Sequence, residues 1–187
     1  MIQGILLAAG CSRRFGSDKL IQTLPSGQRV VLQAYKNMLQ AIDQVLVVVK
    51  LDNQNLINQL KCVGAEVVLY ENAEQGMGNS LACGIRASLE AKGWVIALAD
   101  MPWIKPGTIK QVTNELNSGA AIIAPTWQGQ RGHPVGFSAI FGSELAQLQG
   151  DSGAKSLIQA NVHHLKLFDC DDPGVLQDID HPADLIK

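Results

Sequence analysis

The sequence has few of the features that mark secreted proteins, proteins with a structural zinc site, or membrane proteins. Its four cysteines are scattered and form no Cys-x-x-Cys pair, which argues against a zinc site and against a disulfide framework. No apolar run approaches the roughly 20 residues that span a bilayer, and the apolar beginning of the chain lacks the basic segment of a signal peptide. We therefore expect a cytoplasmic protein that does not contact a membrane.

Charge is also sparse. Charged residues make up 17% of the 187 residues and the net charge is −2, so electrostatics give no reason to expect binding to nucleic acid. Hydrophobic residues, at 47%, suit a compact protein with a mostly buried sheet. The length suits one domain, residues 1–187. Basic residues that cluster locally are then expected to serve a small ligand.

The two common phosphate-binding motifs are missing from the glycine-containing stretch at residues 6–19. A Walker loop needs Gly-Lys-Ser/Thr and a dinucleotide fingerprint needs Gly-x-Gly-x-x-Gly, and neither occurs there. Even so, an apolar run that ends at Gly10 predicts a buried strand and a sharp turn, in which backbone N–H groups can approach a phosphate. Arg14 and Lys19 would add full positive charge. The stretch therefore favours an anion site over a glycine-rich turn with solvated basic residues.

Apolar β-branched runs alternate with helical patterns along the rest of the chain. Such near-continuous apolar strands are typical of parallel sheets covered by helices on both faces, so the predicted class is α/β. The pattern predicts strands at Val45–Val49, Val67–Tyr70, Trp94–Leu98, Ala120–Ala124 and Val135–Ser138. It predicts helices at Val31–Ala41, Asn53–Leu60 and Ile109–Leu116, the last opened by Pro106 in a position suited to a first turn, and a loop or hairpin at Thr126–Gly132.

Three later segments carry residues suited to a nucleotide site. A glycine-rich segment with Gly78 and Ser80 follows the third strand, and its glycines fit either ligand contact or helix capping and packing. Asp100 ends the fourth strand, where a carboxylate can bind Mg²⁺ or cap a helix. Asp178 and Asp180 alternate on an extended segment and so share a face; Asp180 fits either a metal ligand or a helix cap. Because ligands bind at the carboxyl ends of parallel strands, the two glycine-containing loops can share one nucleotide.

The histidines offer no convincing catalytic base. His163 and His164 are adjacent in a predicted strand, so their side chains are expected to point to opposite sides and not to bind one metal together. His181 stands alone. A phosphate acceptor is already an oxyanion, however, so alignment and charge stabilisation could carry the reaction without a base.

The residues at 7–19 resemble the LAAGxSxRxGxxK signature of nucleotidyltransferases that activate sugars, isoprenoid precursors and molybdopterin. The resemblance continues through the later segments to the Asp-Ile-Asp ending, from Ile5 to Leu185. Within this group the chain resembles the molybdenum cofactor cytidylyltransferase branch of the MobA-like NTP transferase superfamily. The resemblance implies a single-domain, three-layer, Rossmann-like nucleotidyltransferase fold, with a mostly parallel sheet and helices on both faces.

The resemblance also implies roles for individual residues. It assigns catalysis to Lys19, Arg14 and Asp100, and a Mg²⁺ ion to Asp100 and Asp180. It places the nucleotide against Ala8, Ala9, Gly10, Ser12, Arg14, Lys19, Gly78, Ser80 and Asp100. The acceptor would contact Arg131, His133 and Lys155, whose segments face the pterin substrate in this branch.

The implied reaction transfers CMP from CTP to the phosphate of molybdopterin, or of its metal-loaded form, and releases pyrophosphate. Transient contact with a molybdoenzyme or its chaperone is implied as well. The guanylyltransferase branch tends to read Leu-Ala-Gly-Gly where this chain has alanine at position 9, which favours the cytidylyl side. The alternatives are guanylyl transfer, cytidylyl transfer to another phosphate acceptor, and a non-catalytic nucleotide or cofactor carrier. An NAD-dependent oxidoreductase is disfavoured by the missing fingerprint glycines.

Overall fold

A computed structural model describes residues 1–10, 15, 18–71 and 76–186 of the chain. The strands in these ranges are Ile2–Ala8 (β1), Val45–Lys50 (β2), Glu66–Tyr70 (β3), Gly93–Leu98 (β4), Ile122–Trp127 (β5), Gln130–Arg131 (β6), Val135–Ser138 (β7) and Leu165–Asp169 (β8). The α-helices are Val30–Leu39 (α1), Gln54–Cys62 (α2), Met77–Arg86 (α3), Pro106–Asn117 (α4), Gly142–Ala146 (α5) and Lys155–Ala160 (α6). Short 3-10 helices lie at Lys19–Ile21, Ala139–Phe141, Val162–His164, Pro173–Leu176 and Pro182–Ile186. None of the helices in the described ranges is long and apolar enough to cross a membrane.

The predicted α/β class is confirmed, and most predicted elements lie close to observed ones. The predicted strand at Ala120–Ala124 is observed as β5, which starts at Ile122 and runs on to Trp127. Helix α4 begins at Pro106, as predicted, because proline is well suited to the first turn of a helix. The segment after β5 is predicted to be a loop or a hairpin. The structure shows a hairpin, because β5 and β6 pair in antiparallel fashion.

The eight strands in the described ranges join one mixed sheet, in the order β3-β2-β1-β4-β7-β5-β6, with β8 also paired to β5. Strand β1 pairs in parallel with β2 on one side and with β4 on the other. The chain therefore moves outward from β1 to β3 and then returns to the opposite side of β1. In open α/β sheets the ligand crevice lies at the carboxyl ends of the strands at such a reversal. The reversal here places that crevice between the ends of β1 and β4.

Two apolar clusters cover the two faces of the sheet. One joins alternate strand residues such as Leu6 and Val95 to helices α1, α2 and α4. The other joins the intervening residues, such as Ile5 and Trp94, to helices α3, α5 and α6. Because successive side chains of a strand point to opposite faces, β1 contributes to both clusters and is buried throughout. The result is the predicted three-layer arrangement.

Candidate active site

Three residues from distant parts of the sequence meet at the carboxyl end of β4. The ammonium nitrogen of Lys19 lies 2.7 Å from Oδ2 of Asp100 and 3.3 Å from Oδ1 of Asp180. The side chain of Lys19 is only 13% exposed, and those of Asp100 and Asp180 are 21% and 36% exposed. One ammonium group is thus held between two carboxylates in a partly desolvated position.

The sheet positions Asp100. Leu98 at the end of β4 pairs with Leu7 in β1, and the amide of Ala99 donates a 3.0 Å hydrogen bond to the carbonyl of Leu7. Asp100 therefore follows directly where β4 leaves β1. The predicted nucleotide-binding residues Ala8, Ala9 and Gly10 lie at the end of β1, so they share this edge of the sheet with Asp100.

The backbone of the C-terminal segment positions Asp180. The amide of Ile179 donates to the carbonyl of Asp100 over 2.9 Å, and the Ile179 side chain is fully buried. Asp178 and Asp180 therefore lie on the opposite side from Ile179, as their alternation predicts. Asp184 accepts hydrogen bonds from the amides of Asp180 and His181, at 3.0 and 2.8 Å. Asp184 lies in the first turn of the 3-10 helix that starts at Pro182, and its carboxylate reaches back to hold the backbone of Asp180 and His181.

A buried carboxylate anchors the same C-terminal segment further upstream. Asp172 is 1% exposed, and its Oδ2 accepts hydrogen bonds from the Lys105 amide at 2.8 Å and the Thr108 hydroxyl at 2.6 Å. Its Oδ1 accepts from the Gly174 amide at 3.1 Å. Since Lys105 and Thr108 lie at the start of α4, the negative charge also meets the positive end of that helix. Asp172 therefore fixes the C-terminal segment against the element that follows Asp100.

Asp18 anchors the short helix that carries Lys19. Oδ1 of Asp18 accepts a 3.1 Å hydrogen bond from the Leu20 amide, and Oδ2 accepts a 2.6 Å hydrogen bond from the side-chain amide of Asn53. Asn53 in turn caps α2 by accepting from the Leu56 amide. The short helix that carries Lys19 is thereby tied to the start of α2.

Lys19 is positively charged at neutral pH. Burial alone lowers the pKa of Lys19, but the Asp100 carboxylate, and after it Asp180, raise the pKa by more, so that it lies above its usual value of 10.5. The ammonium is therefore a stable counter-charge for an anion or for the two carboxylates.

The carboxylate pair suits a magnesium ion. Mg²⁺ is commonly bound by one or two carboxylates, with water and substrate phosphates as its other ligands. Asp100 and Asp180 each present one carboxylate oxygen to the same ammonium group. In the described ranges, no cluster of three or more histidine, cysteine or acidic side chains could hold a metal ion. This set of donors fits Mg²⁺ shared with a nucleotide better than a cage made only of protein ligands.

Gly78 and Ser80 lie inside helix α3 and are buried. A Cβ on Gly78 would lie 2.8 Å from the carbonyl oxygen of Gln149 and 2.9 Å from that of Gly150, so this glycine has a packing role. The Ser80 hydroxyl donates a 2.9 Å hydrogen bond to the carbonyl of Met77. Contact of either residue with a nucleobase stays a prediction.

The start of α3 is bound to the segment that contains the predicted acceptor residue Lys155. The Gly78 amide donates to the Gly150 carbonyl, and the Gly150 amide donates to Oδ1 of Asn79, both over 2.7 Å. Lys155 follows as the exposed first residue of α6. The predicted base-binding and acceptor-binding segments are therefore neighbours.

Arg131 and His133 lie at another corner, beside the C-terminal segment. Arg131 is exposed in β6, and the His133 amide donates a 2.9 Å hydrogen bond to the carbonyl of Val175. The buried Nδ1 of His133 has no hydrogen-bond partner in the described part of the chain. Burial lowers the pKa of His133 to about 4, and the positive charge of Arg131 acts in the same direction, against a smaller opposing effect of Asp178. His133 is therefore neutral at pH 7.

Two predicted phosphate ligands, Ser12 and Arg14, lie outside the described residues. The interpretation of the paired histidines is wrong in one respect. His163 and His164 lie in a 3-10 turn rather than a strand, and their ring centroids are 4.1 Å apart instead of on opposite sides. The cause is local, because the His164 amide bonds back to the carbonyl of Asn161 where α6 ends.

Sequence reasoning missed several residues that shape the site. Asp172 and Asp18 were not singled out, and neither was Asn37, which is buried in α1. The side chain of Asn37 donates to the carbonyls of Pro102 and Ile104 at 2.9 and 3.0 Å, and so holds the loop after Asp100. The available signal for Asn37 is its position within an otherwise apolar helix face.

A family model described as the MobA-like NTP transferase domain matches residues 4–165. The purine catabolism protein PucB of Bacillus subtilis is 29% identical over 97% of this chain and 92% of its own length. A nicotine blue oxidoreductase of Paenarthrobacter nicotinovorans is 25% identical over 96% of the chain and 92% of its length. A probable molybdenum cofactor guanylyltransferase of Thermococcus gammatolerans is 27% identical over 67% of the chain and 62% of its length.

Solved structures share the backbone arrangement. Rv0371c of Mycobacterium tuberculosis, in complex with manganese, matches 98% of this chain and 95% of its own, with a TM-score of 0.81 and 26% identity. A nucleotidyl transferase of Methanothermobacter matches 98% and 94%, with a TM-score of 0.84 and 22% identity. The predicted Rossmann-like nucleotidyltransferase fold is thereby confirmed.

Proposed function

Because the chain belongs to the MobA-like NTP transferase family, we propose that it transfers CMP from CTP to the phosphate of a molybdopterin-type cofactor, with Mg²⁺ as metal. The observation that carries this proposal is the meeting of Lys19, Asp100 and Asp180 beside the end of β1. A protein that only carried a cofactor would have no use for two carboxylates suited to a metal. We also propose that residues 1–187 act as one domain, since the eight strands seen in the described part of the chain join one sheet.

The proposed reaction brings two anions together. A phosphate oxygen of the acceptor forms a bond to the α-phosphorus of CTP. The bond from that phosphorus to the oxygen bridging to the β-phosphate breaks, and pyrophosphate leaves with the electron pair. No proton has to be removed from the acceptor, so the protein's contribution is alignment and neutralisation of charge.

In this proposal the residues of the site divide the work. Lys19 binds the α-phosphate, where its charge offsets the negative charge that builds up during transfer. The backbone at Ala8, Ala9 and Gly10 borders the nucleotide, with Ser12 and Arg14 as further phosphate ligands. Asp100 and Asp180 would hold Mg²⁺, which neutralises the triphosphate and the leaving pyrophosphate. The use of divalent metals is common in this family, and the manganese complex of the 26% identical Rv0371c supports a metal here.

The choice of CTP rests on one position in the first loop. Alanine stands at position 9, where the guanylyltransferase branch tends to have glycine. The names of relatives favour a second candidate, GTP, since the Thermococcus protein is a probable molybdenum cofactor guanylyltransferase. The chemistry at Lys19, Asp100 and Asp180 is the same in both cases, so the two differ only in how the base is recognised.

The acceptor is proposed to bind near Arg131, His133 and Lys155. Arg131 and Lys155 are exposed and can meet a phosphate or another anionic group. His133 would act as a neutral hydrogen-bonding group, because its pKa of about 4 leaves it uncharged at pH 7. A molybdopterin-type acceptor, with both a phosphate and a polar ring system, suits this mixture of charge and neutral hydrogen bonding. Transfer of the product to a molybdoenzyme or its chaperone would follow.

The direct test is product formation. Purified protein is incubated with Mg²⁺, molybdopterin and each nucleoside triphosphate in turn, and the products are weighed by mass spectrometry. The proposal expects a product heavier by one CMP with CTP, together with release of pyrophosphate. A product formed only with GTP would establish the second candidate. No nucleotidylated product with any triphosphate would overturn both.

A further inference from the structure

One ammonium group contacts the same two carboxylates that the proposed function assigns to a metal. Lys19 lies 2.7 Å from Asp100 and 3.3 Å from Asp180, and its side chain is only 13% exposed. Lys19 reaches both at once, although it lies 161 residues from Asp180 in the sequence. The two ion pairs are therefore formed by the tertiary fold and are partly shielded from water, unlike pairs between fully solvated side chains.

We infer that Lys19 is a built-in counter-ion that keeps divalent metal off Asp100 and Asp180 until a triphosphate binds. This inference rests on the proposed function. A divalent cation that binds these carboxylates must displace a positive charge already in contact with both oxygens, or bind beside it against its repulsion. A triphosphate carries about four negative charges near neutral pH and offers the ammonium other partners. Metal would then enter together with the nucleotide, and not before it.

The surroundings of Lys19 support this role. Its short helix is tied to α2 through the Asp18 carboxylate and Asn53, so the backbone of Lys19 is anchored beside the two carboxylates. The backbone of Asp180 is held by the bond from Ile179 to Asp100 and by the Asp184 carboxylate. The backbone that carries the two carboxylates is thus fixed, whereas Lys19 is a long side chain with several rotatable bonds. Rotation of the Lys19 side chain can therefore free both carboxylates without a change in the backbone.

The test measures Mn²⁺ binding without nucleotide, by electron paramagnetic resonance. Lys19→Met removes the charge and keeps a similar length. We expect the wild type to bind Mn²⁺ weakly and the variant to bind it at least about tenfold more tightly, since a unit charge in contact with both ligands is removed. Lys19→Arg keeps the charge and should bind weakly. Asp100→Asn in the Lys19→Met background should abolish the gain.

A matched control uses a second ion pair. Lys166 lies 2.6 Å from Glu115 on another part of the surface, so Lys166→Met should leave Mn²⁺ affinity unchanged. Thermal melting gives a separate readout, because Mn²⁺ should raise the melting temperature of Lys19→Met more than that of the wild type. Equal Mn²⁺ affinity in the wild type and Lys19→Met would overturn the inference. The proposed function is tested separately, by product formation with the wild-type protein. If the nucleotidylated product forms while the Mn²⁺ affinities are equal, the proposed function stands and only this inference fails. If no product forms with any triphosphate, the proposed function is overturned.

Discussion

The backbone amide of Ile179 donates a 2.9 Å hydrogen bond to the carbonyl oxygen of Asp100. This bond places the residue before Asp180 directly beside the first carboxylate of the site. The two carboxylates therefore meet through main-chain pairing, supported by burial of the Ile179 side chain.

Asp100→Asn is expected to lower the rate of pyrophosphate release by about 100-fold or more and to raise the Mg²⁺ concentration needed, because a neutral amide is a poor ligand for Mg²⁺. A magnesium titration of the steady-state rate measures both effects. Asp178→Asn is the matched control, since Asp178 is an exposed carboxylate on the same face as Asp180. An unchanged magnesium titration in Asp100→Asn would contradict the metal role.

Ser80→Ala is expected to change the preference among CTP, GTP and ATP by roughly two- to tenfold, the effect of one hydrogen bond to the base. The helix should persist, because alanine is a good helix former and the lost bond runs only to the Met77 carbonyl. The measurement is kcat/KM for each triphosphate. Thr113→Ala removes a similar hydroxyl that bonds back within α4 and serves as control. Identical selectivity in Ser80→Ala would place base recognition elsewhere.

Gly78→Ala is expected to destabilise the protein by about 1–3 kcal/mol, because the new methyl group meets backbone carbonyls that cannot easily move. Urea unfolding measures the change. Gly107→Ala is the control, since Gly107 lies in α4 and a Cβ there has no heavy atom within 4 Å. That substitution should be neutral or stabilising, by up to about 1 kcal/mol. Equal stability of the two variants would show that the segment at residues 149–150 adapts freely.

His133 is expected to make stability depend on pH. Its pKa is lowered by burial from 6.5 to about 4, so between these values the unfolded chain binds a proton that the folded chain does not. The contribution of His133 to the free energy of unfolding is therefore fully present above pH 6.5 and falls as the pH drops towards 4. His133→Gln should reduce the loss of unfolding free energy between about pH 7 and about pH 5 by roughly 1–2 kcal/mol. Parallel pH profiles of wild type and variant, measured by urea unfolding, would contradict this assignment.

The sequence predicts the sheet and the meeting of Lys19 with Asp100 well, for a physical reason. Buried parallel strands are apolar over their whole length, so β2 and β4 stand out, and the residues that follow such strands must share one edge. Asp180 was placed with them through its motif, and the ion pair to Lys19 agrees with that placement. The roles of these residues in catalysis stay predictions.

Asp172 could not be predicted in the same way. In the sequence it belongs to an acidic stretch with Asp169 and Asp171, which is typical of a solvated surface. Its burial depends on the start of α4, which donates two of its three hydrogen bonds and lies far away in the sequence. The strand predicted for His163 and His164 is wrong for a related reason, since a turn anchored by Asn161 overrides the strand pattern that begins at Leu165. Such contacts are decided by tertiary structure and leave little trace in local periodicity.

The pairing of Ile179 with Asp100 also has a consequence during translation. During translation, Lys19 is synthesised early, Asp100 near the middle and Asp180 close to the end of this sequence. A growing chain that already includes strands β1 to β4 still lacks the second carboxylate. On the proposed role of Asp180 as a metal ligand, a nascent chain would gain the second carboxylate of the metal site only once synthesis has passed the Asp-Ile-Asp stretch.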